Sequence, residues 1–487
     1  MNTDPRQLIL LAVAIIVPLI LMRNKQYQWL LGWVSLTLFV QVFDTTVITN
    51  LPAARIVGLL YLPTAISSLQ QWSRLPAVKA ALINLLYLAI LGLLFGFLWP
   101  WPDLTRNRPF TLTAPGRTMI FLVRLLSDLS LAAFIAWQVS MPGALRLIGR
   151  AVVIGAALNS AVGLFNLFTG IDLCHLITGQ GEALSITGRA RGLAIEPRAM
   201  GLVCVYGLMA LLIGRHRLFS WWPGLLLLNL LGLLITHSVS SFAMFAAGLL
   251  AAMFFLSGRV KAVAVATALS AGLIIAGAWL LAPEIFEAGL QTVQIRVDPQ
   301  YKLSGIANGT FGEEIAYRMD VFDASAMLFL LDQPLYALFG TGPGLVSLPA
   351  SDYVPPGLYS LIWTPDTGIN SLPSQGLLLE ISNSGLPGLL LWFWQVIACL
   401  IALRQLRNLA RDTEHQEEWQ FAWAFFLSGV VFYIVHLSHT PVWSLVLGVG
   451  WAGSVLADLA RRREFEFTAA EPEELEEWPP QFVPSGD

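Results

Sequence analysis

The sequence predicts an all-α polytopic membrane protein with about 12–13 transmembrane helices and one large external loop carrying an amphipathic helix. Three observations carry this. Hydrophobic residues make up 56% of the chain and charged residues 12%, against about 25% charged in an ordinary soluble domain. Uncharged runs such as 80–99 and 225–236 are near or at the ~20 residues that cross a hydrocarbon core. Finally, one long polar interval, 283–375, interrupts an otherwise apolar chain.

Taken in order, apolar runs and their breakers place spans near 8–22, 28–43, 54–71, 80–99, 118–139, 148–169, 196–213, 220–236, 239–256, 262–282, 376–403, 419–437 and 440–458. The first two are short, and an interfacial first segment reduces the count by one. The first apolar run has neither a basic n-region nor a cleavage site, so it does not read as a signal peptide. A transmembrane helical domain over 1–463 with external loops 170–195 and 283–375 is therefore expected, followed by a 464–487 tail. That tail is acidic and Pro-rich (Glu471-Pro472-Glu473-Glu474, Trp478-Pro479-Pro480) and has too little apolar surface to fold, so it reads as a disordered cytoplasmic segment. Cys174, Cys204 and Cys399 show no paired spacing, which predicts neither a disulfide framework nor a cysteine metal site.

Basic residues orient the helices. Short links around Arg23/Lys25, Arg74/Lys79, Arg146/Arg150, Arg215/Arg217, Arg259/Lys261, Arg404/Arg407/Arg411 and Arg461–Arg463 hold 16 of the 28 basic residues, which puts them and the C-terminus inside. The 283–375 loop then faces outward. Outward arginines run against this bias and gather in three places: Arg106, Arg108, Arg117 and Arg124; Arg189, Arg191 and Arg198; and Arg318. The guanidinium fork binds phosphate in a bidentate manner and stays charged, so such clusters suit anionic ligands. The bland alternative is pairing with loop carboxylates or lipid headgroups, and it is favoured for Arg106, Arg108 and Arg117. Arg318 lies on a stretch whose Ile315, Met319, Phe322 and Ala326 form an apolar helical stripe, with Glu313/Glu314 suiting its N-terminal turn.

The segment Gly188-Arg-Ala-Arg-Gly-Leu-Ala-Ile-Glu-Pro, leading straight into an apolar helix, resembles the arginine-containing segment of the O-antigen ligase and O-antigen (exopolysaccharide) polymerase superfamily. Later features follow in the same order. A Ser-containing turn, 236–241, joins two helices; Tyr317-Arg318, Asp332-Gln333-Pro334-Leu335 and Phe339-Gly340-Thr341-Gly342-Pro343-Gly344 lie in the large loop. A segment from Gln375 to Gly388 opens the next span. The resemblance covers roughly 185–400.

What it implies is a glycosyltransferase that takes an undecaprenyl-diphosphate-linked glycan as donor, needs no cofactor, nucleotide sugar or obligatory metal, and works at the periplasmic face of a bacterial inner membrane. Arginines in positions like Arg191 and Arg318 would engage the diphosphate and offset the charge that grows on it as the glycosidic bond breaks. Arg189, Arg198 and Tyr317 are neighbours of that site. Pro197, as first helical residue, would aim a helix N-terminus at the same phosphate. Partners would be the lipid-linked glycan, membrane lipids and a chain-length regulator or other polysaccharide-assembly protein, with no role for nucleic acid.

The family's ligases carry His-Asn before the span that follows the loop. Here Ser374-Gln375 stands at that point, and serine of ordinary acidity is a poor general base. That departure favours polymerase over ligase. Of the available acceptor bases, Glu196, Asp320, Asp323 and Glu380, Glu196 is the leading candidate because it stands beside Arg191 and Arg198, and a salt bridge holding those arginines is slightly favoured over proton abstraction for it. His436 and His439 lack a third ligand for metal. Gly340–Gly344 reads either as a backbone nest for phosphate, through Gly342 and Gly344, or as a tight turn. A flippase for the same lipid is the reading of another class, disfavoured by the lack of a convincing internal repeat and by charges that concentrate outside rather than at mid-span.

Overall fold

A computed structural model describes residues 4–44, 52–101, 110, 113–179, 190–194, 196–255, 320–354, 375–410, 416–435 and 442–461, with isolated positions between 262 and 304 and between 363 and 373. It is an all-α assembly; among the described residues the strand content is one two-residue antiparallel pair, Trp363↔Ile369 and Thr364↔Gly368.

The helices are α1 (Pro5–Arg23), α2 (Tyr27–Thr37), α3 (Ala53–Ser67), α4 (Pro76–Leu91), α5 (Ala114–Val139), α6 (Ala144–Thr169) and the short α7 (Leu173–Thr178). They continue with α8 (Pro197–Leu218), α9 (Trp222–Ile235), α10 (Val239–Phe255), α11 (Asp320–Asp332), α12 (Pro334–Phe339), α13 (Gly376–Leu409), α14 (Gln416–Val435) and α15 (Val442–Arg461). Among the described residues, seven are long and apolar enough to cross a membrane: α1, α4 with its extension, α5, α6, α8, α13 and α15. Twelve of the expected spans fall on described helices; span 262–282 and the 464–487 tail lie outside the described residues apart from isolated positions.

Local chemistry explains the boundaries. Asp4 caps α1 through the Arg6 amide, Thr113 caps α5 through Gly116, and Asp172 caps α7 through His175. Proline stands in the first turn of α1, α4, α5, α9 and α12, where its missing N–H costs nothing. The expected span 28–43 is helical only over Tyr27–Thr37 and finishes in a 3-10 turn, Gln41–Phe43. α4 does not stop at Leu91 but widens into a π turn over Gly92–Leu98.

Inside the bundle, α5 packs along α3 and α15, α4 along α13, and α8 along α6 and α9. Without a hydrophobic force between helices in lipid, close approach depends on small residues. Gly58 of α3 sits so near α5 that an added Cβ would stand 2.2 Å from the Ser127 carbonyl oxygen. Aromatic rings fill the wider gaps: Tyr206 of α8 stacks on Phe432 of α14 at 4.2 Å. The stripe expected on the loop helix holds for its described part, since Phe322 and Ala326 of α11 are buried against Val346 and Ala350.

Candidate functional site

The segment entering α8 places three of the expected site residues. Arg191 is buried, and its Nε meets Asp172 Oδ2 at 3.0 Å with both side chains 4% exposed. Asp172 is a partner that spacing alone does not reveal, because the pair closes between the cap of α7 and the following loop. Gly192 (φ 58) brings the backbone against α6, where Leu193 N donates to Asn159 Oδ1 at 3.0 Å. Glu196 is half-buried, and its carbonyl oxygen accepts from Met200 N at 3.1 Å. Arg198 lies half-buried in the first turn of α8, which opens at Pro197, and its carbonyl oxygen accepts from Ser241 Oγ at 3.4 Å. Arg189, Tyr317 and Arg318 lie outside the described residues, as do Arg106, Arg108, Ser374, His436 and His439.

Gly340–Gly344 forms a turn that docks on a break in α13. The break is at Gly385 (φ 63, ψ −163). Thr341 N donates to Ser382 O at 2.8 Å, Gly342 N to Asn383 O at 3.1 Å, and Gly344 N to Asn383 Oδ1 at 3.0 Å. The Gly342 and Gly344 amides that a phosphate nest would offer are thus already given to α13; of the two readings of this glycine run, the tight turn accounts for them. On its other side the turn touches α4 and α5: Thr118 Oγ1 donates to Pro343 O at 3.4 Å, and Arg117 hydrogen-bonds Ser347. Asn383→Ala should leave the buried Gly344 N–H without its acceptor and cost about 1–3 kcal/mol. Asn383→Asp, which keeps an acceptor oxygen, should cost less; thermal unfolding of the two variants in detergent checks the order.

Next to Asn383 lies a cavity of about 110 Å³ walled by α3, α4, α5, α13, α14 and α15. Two arginines and two carboxyls face it: Arg55, Arg124, Asp128 and Glu380. Arg55 grips Asp128 through Nε and Nη2, each at 2.8 Å. Glu380 accepts from the Tyr433 hydroxyl at 2.5 Å and takes a side-chain hydrogen bond from Asn84. Trp392 stacks on Tyr433 at 5.4 Å. Three buried atoms of the wall residues, Asn84 Oδ1, Trp392 Nε1 and Gln395 Nε2, have no hydrogen-bond partner in the protein. Buried polar atoms are nearly always bonded; these three stand at the cavity, while others, such as Trp33 Nε1 and Trp451 Nε1, stand elsewhere in the bundle.

The depth of this cavity corrects one expectation. At about 1.5 Å per residue, Arg124 and Asp128 stand roughly 15 and 21 Å from the start of α5, near the middle of a helix roughly 39 Å long. Charge is therefore not confined to the loops, and ionisable groups at mid-helix are functional by default because burying them is costly. Arg124 and Glu380 are visible from sequence as members of an arginine cluster and a carboxylate set. Arg55, Asp128, Asn84 and Tyr433 are missed, although Arg124-x-x-x-Asp128 at helical spacing inside an apolar run is a signal. Arg191, Glu196, Arg198, Gly342 and Gly344 are not among the residues lining this cavity. Asn383 joins the two features: its backbone and side chain hold the glycine turn, and it also lines the cavity.

No protein-family model matches the chain, and no curated protein matches it.

Proposed function

We propose that the protein is an envelope polysaccharide polymerase, transferring glycan from an undecaprenyl-diphosphate carrier to the sugar of another lipid-linked repeat unit at the outer face of a bacterial inner membrane. One observation carries the reading furthest: a guanidinium, Arg124, and a tyrosine-bonded carboxyl, Glu380, line one cavity, and Asn383 of the same wall holds the glycine turn of the large loop. In such a transfer the acceptor hydroxyl attacks the anomeric carbon, the bond from that carbon to the diphosphate oxygen breaks, and the hydroxyl proton passes to a carboxylate. A fixed guanidinium offsets the charge gathering on the diphosphate, and Glu380, like Glu196, is a carboxyl suited to receive the proton. The arginine motif of the Arg189–Arg198 segment and Tyr317-Arg318 support the same donor class through the family resemblance.

The test is purified protein in lipid vesicles supplied with a lipid-linked repeat unit. Longer glycans on the carrier are expected, with near-complete loss of product in Arg318→Ala, Arg124→Gln and Glu380→Gln at unchanged membrane expression. Arg318→Lys should rescue poorly, because lysine keeps the charge but loses the fork. Wild-type yield from Arg124→Gln and Glu380→Gln would remove the cavity from the mechanism; transfer only to lipid A-core or protein would mean a ligase.

A second reading, transport of the same lipid-linked glycan, gains from two observations: charged groups at mid-helix and the break in α13 beside them, both recurrent in transporters. Movement of the lipid across the vesicle with no new glycosidic bond would select it.

A further inference from the structure

Residues 333–351 carry no charged side chain and lie between Asp332 and Asp352. The structure draws the two ends of this run together, since the Tyr353 hydroxyl donates to Asp332. Between those ends the chain runs along α4 and back. Going in, the Tyr336 ring lies 6.3 Å from Phe95, and the Phe339 carbonyl oxygen accepts from the Tyr87 hydroxyl at 2.9 Å. Coming out, Pro343 faces Gly92, and Ser347 accepts from Arg117. Leu345 and Leu348 then pack with Trp101, beyond the end of the π turn.

Tyr87 sets the depth of the tip. Pro76–Leu98 is long and apolar enough to cross a membrane, and Tyr87 stands at its middle, about 16 Å from either end. Level with it, Ile83, Leu86 and Ile90 are exposed, as they are on a helix face turned to acyl chains. A backbone turn at that depth has no water to bond, so its polar groups need partners in the protein. The groups at the tip have them. Gly340 N donates to Tyr336 O at 2.8 Å, the amides of Thr341, Gly342 and Gly344 go to α13, and the Phe339 and Pro343 carbonyls accept from Tyr87 and Thr118. The side chains sort in the same way. Leu345, Val346 and Leu348 of the returning limb are buried, whereas Leu335 and Phe339 of the entering limb are 69% and 52% exposed, with Leu338 exposed between them. Leu386 and Leu390, just past the break in α13 that Leu338 meets, continue this exposed apolar surface.

We infer that 333–351 is a re-entrant hairpin sunk to the middle of the bilayer, and that its Leu335–Leu338–Phe339 face is a contact surface for lipid acyl chains. The second half of the expected external loop then lies within the membrane. A charge-free run closed off by two aspartates suits that placement, because the carboxylates stay at the water boundary. An exposed apolar patch on a soluble loop would call for a protein partner; at the depth of Tyr87 the surrounding medium is hydrocarbon. The inference goes beyond the polymerase reading and stands without it.

The experiment uses the full chain in phospholipid vesicles, with single introduced cysteines carrying a nitroxide. The native Cys174, Cys204 and Cys399 are buried, so the label goes to the introduced residue. Spin resonance reads collisions with oxygen, which enters hydrocarbon, and with the chromium oxalate anion, which its charge keeps out. The oxygen-to-chromium ratio is expected to rise along Leu335→Cys, Leu338→Cys and Phe339→Cys, reaching roughly tenfold the value at Gln333→Cys and approaching that at Leu86→Cys on the lipid face of α4. A ratio that stays at the Gln333→Cys value would put the hairpin in water and overturn the inference. Exclusion of both reagents from Leu338→Cys and Phe339→Cys would mean that a second copy or another protein covers the face, and would overturn it as well. Each variant is read only with the size-exclusion profile of the unaltered protein, and three exposed positions keep the test standing if one variant fails to fold.

Discussion

Gly385→Ala is expected to cost the fold roughly 4 kcal/mol or more, enough to remove most folded protein from a detergent extract. At φ 63 and ψ −163 the backbone of Gly385 occupies a region open to glycine alone. An added Cβ would also meet the Leu338 carbonyl oxygen at 2.5 Å and the Gly340 nitrogen at 2.6 Å. Both are main-chain atoms and cannot swing aside as a side chain would. Relief would require pulling the 340–344 turn off α13, with loss of the bonds from Thr341, Gly342 and Gly344. Gly224→Ala is the control: nothing lies within 4 Å of its added Cβ in the first turn of α9, and alanine there should be neutral or stabilising by up to about 1 kcal/mol. Size-exclusion profiles and thermal midpoints of the two variants decide it. A Gly385→Ala protein as stable as Gly224→Ala would mean that the break is not required.

The second large effect belongs to Arg55 and Asp128. Their side chains are 7% and 23% exposed and share two hydrogen bonds across the α3–α5 interface. Asp128→Leu removes the two hydrogen bonds that hold the Arg55 guanidinium beside Arg124 and leaves Asp44 as the carboxylate acting on it, which should cost about 3 kcal/mol. Arg55→Leu should cost a similar amount for the converse reason. Changing both to leucine removes both desolvation penalties together, so the double variant should recover much of the loss; well-packed apolar replacements of buried ion pairs are often neutral. The double-mutant cycle, read from unfolding midpoints, is the check. Additive losses would show that the two charges do not depend on one another.

These two effects differ in how far the chain announces them. The bundle is legible because spanning length and charge exclusion sum over ~20 residues, so individual misreadings cancel. The start of α8 at Pro197 and the buried stripe of Phe322 and Ala326 follow from equally local signals. The break at Gly385 does so only in part: Pro387 has no N–H for the Asn383 carbonyl and so signals a kink, but that the glycine turn from forty residues upstream takes that carbonyl is settled by packing. The ion pairs are hidden for the same reason. Asp172 reaches Arg191 across 19 positions and Arg55 reaches Asp128 across 73, and neither separation leaves a periodic trace. Arginines alone point toward anions; whether each already has a carboxylate depends on which helices touch, and that is settled by packing.

The π turn at the end of α4 has a consequence of its own, in rotational register. A π turn carries one residue more than the α-helix it replaces. Reverting it by deleting a residue would rotate the remainder of the segment by about 100°. Gly96 would leave Thr118, and Phe95 would leave Tyr336, its ring neighbour at 6.3 Å. The surplus residue thus works as a phase shift between two halves of one helix. Before it, Asn84 and Leu88 are in phase with the cavity; within it, Gly96 and Phe95 are in phase with Thr118 and with Tyr336 of the large loop.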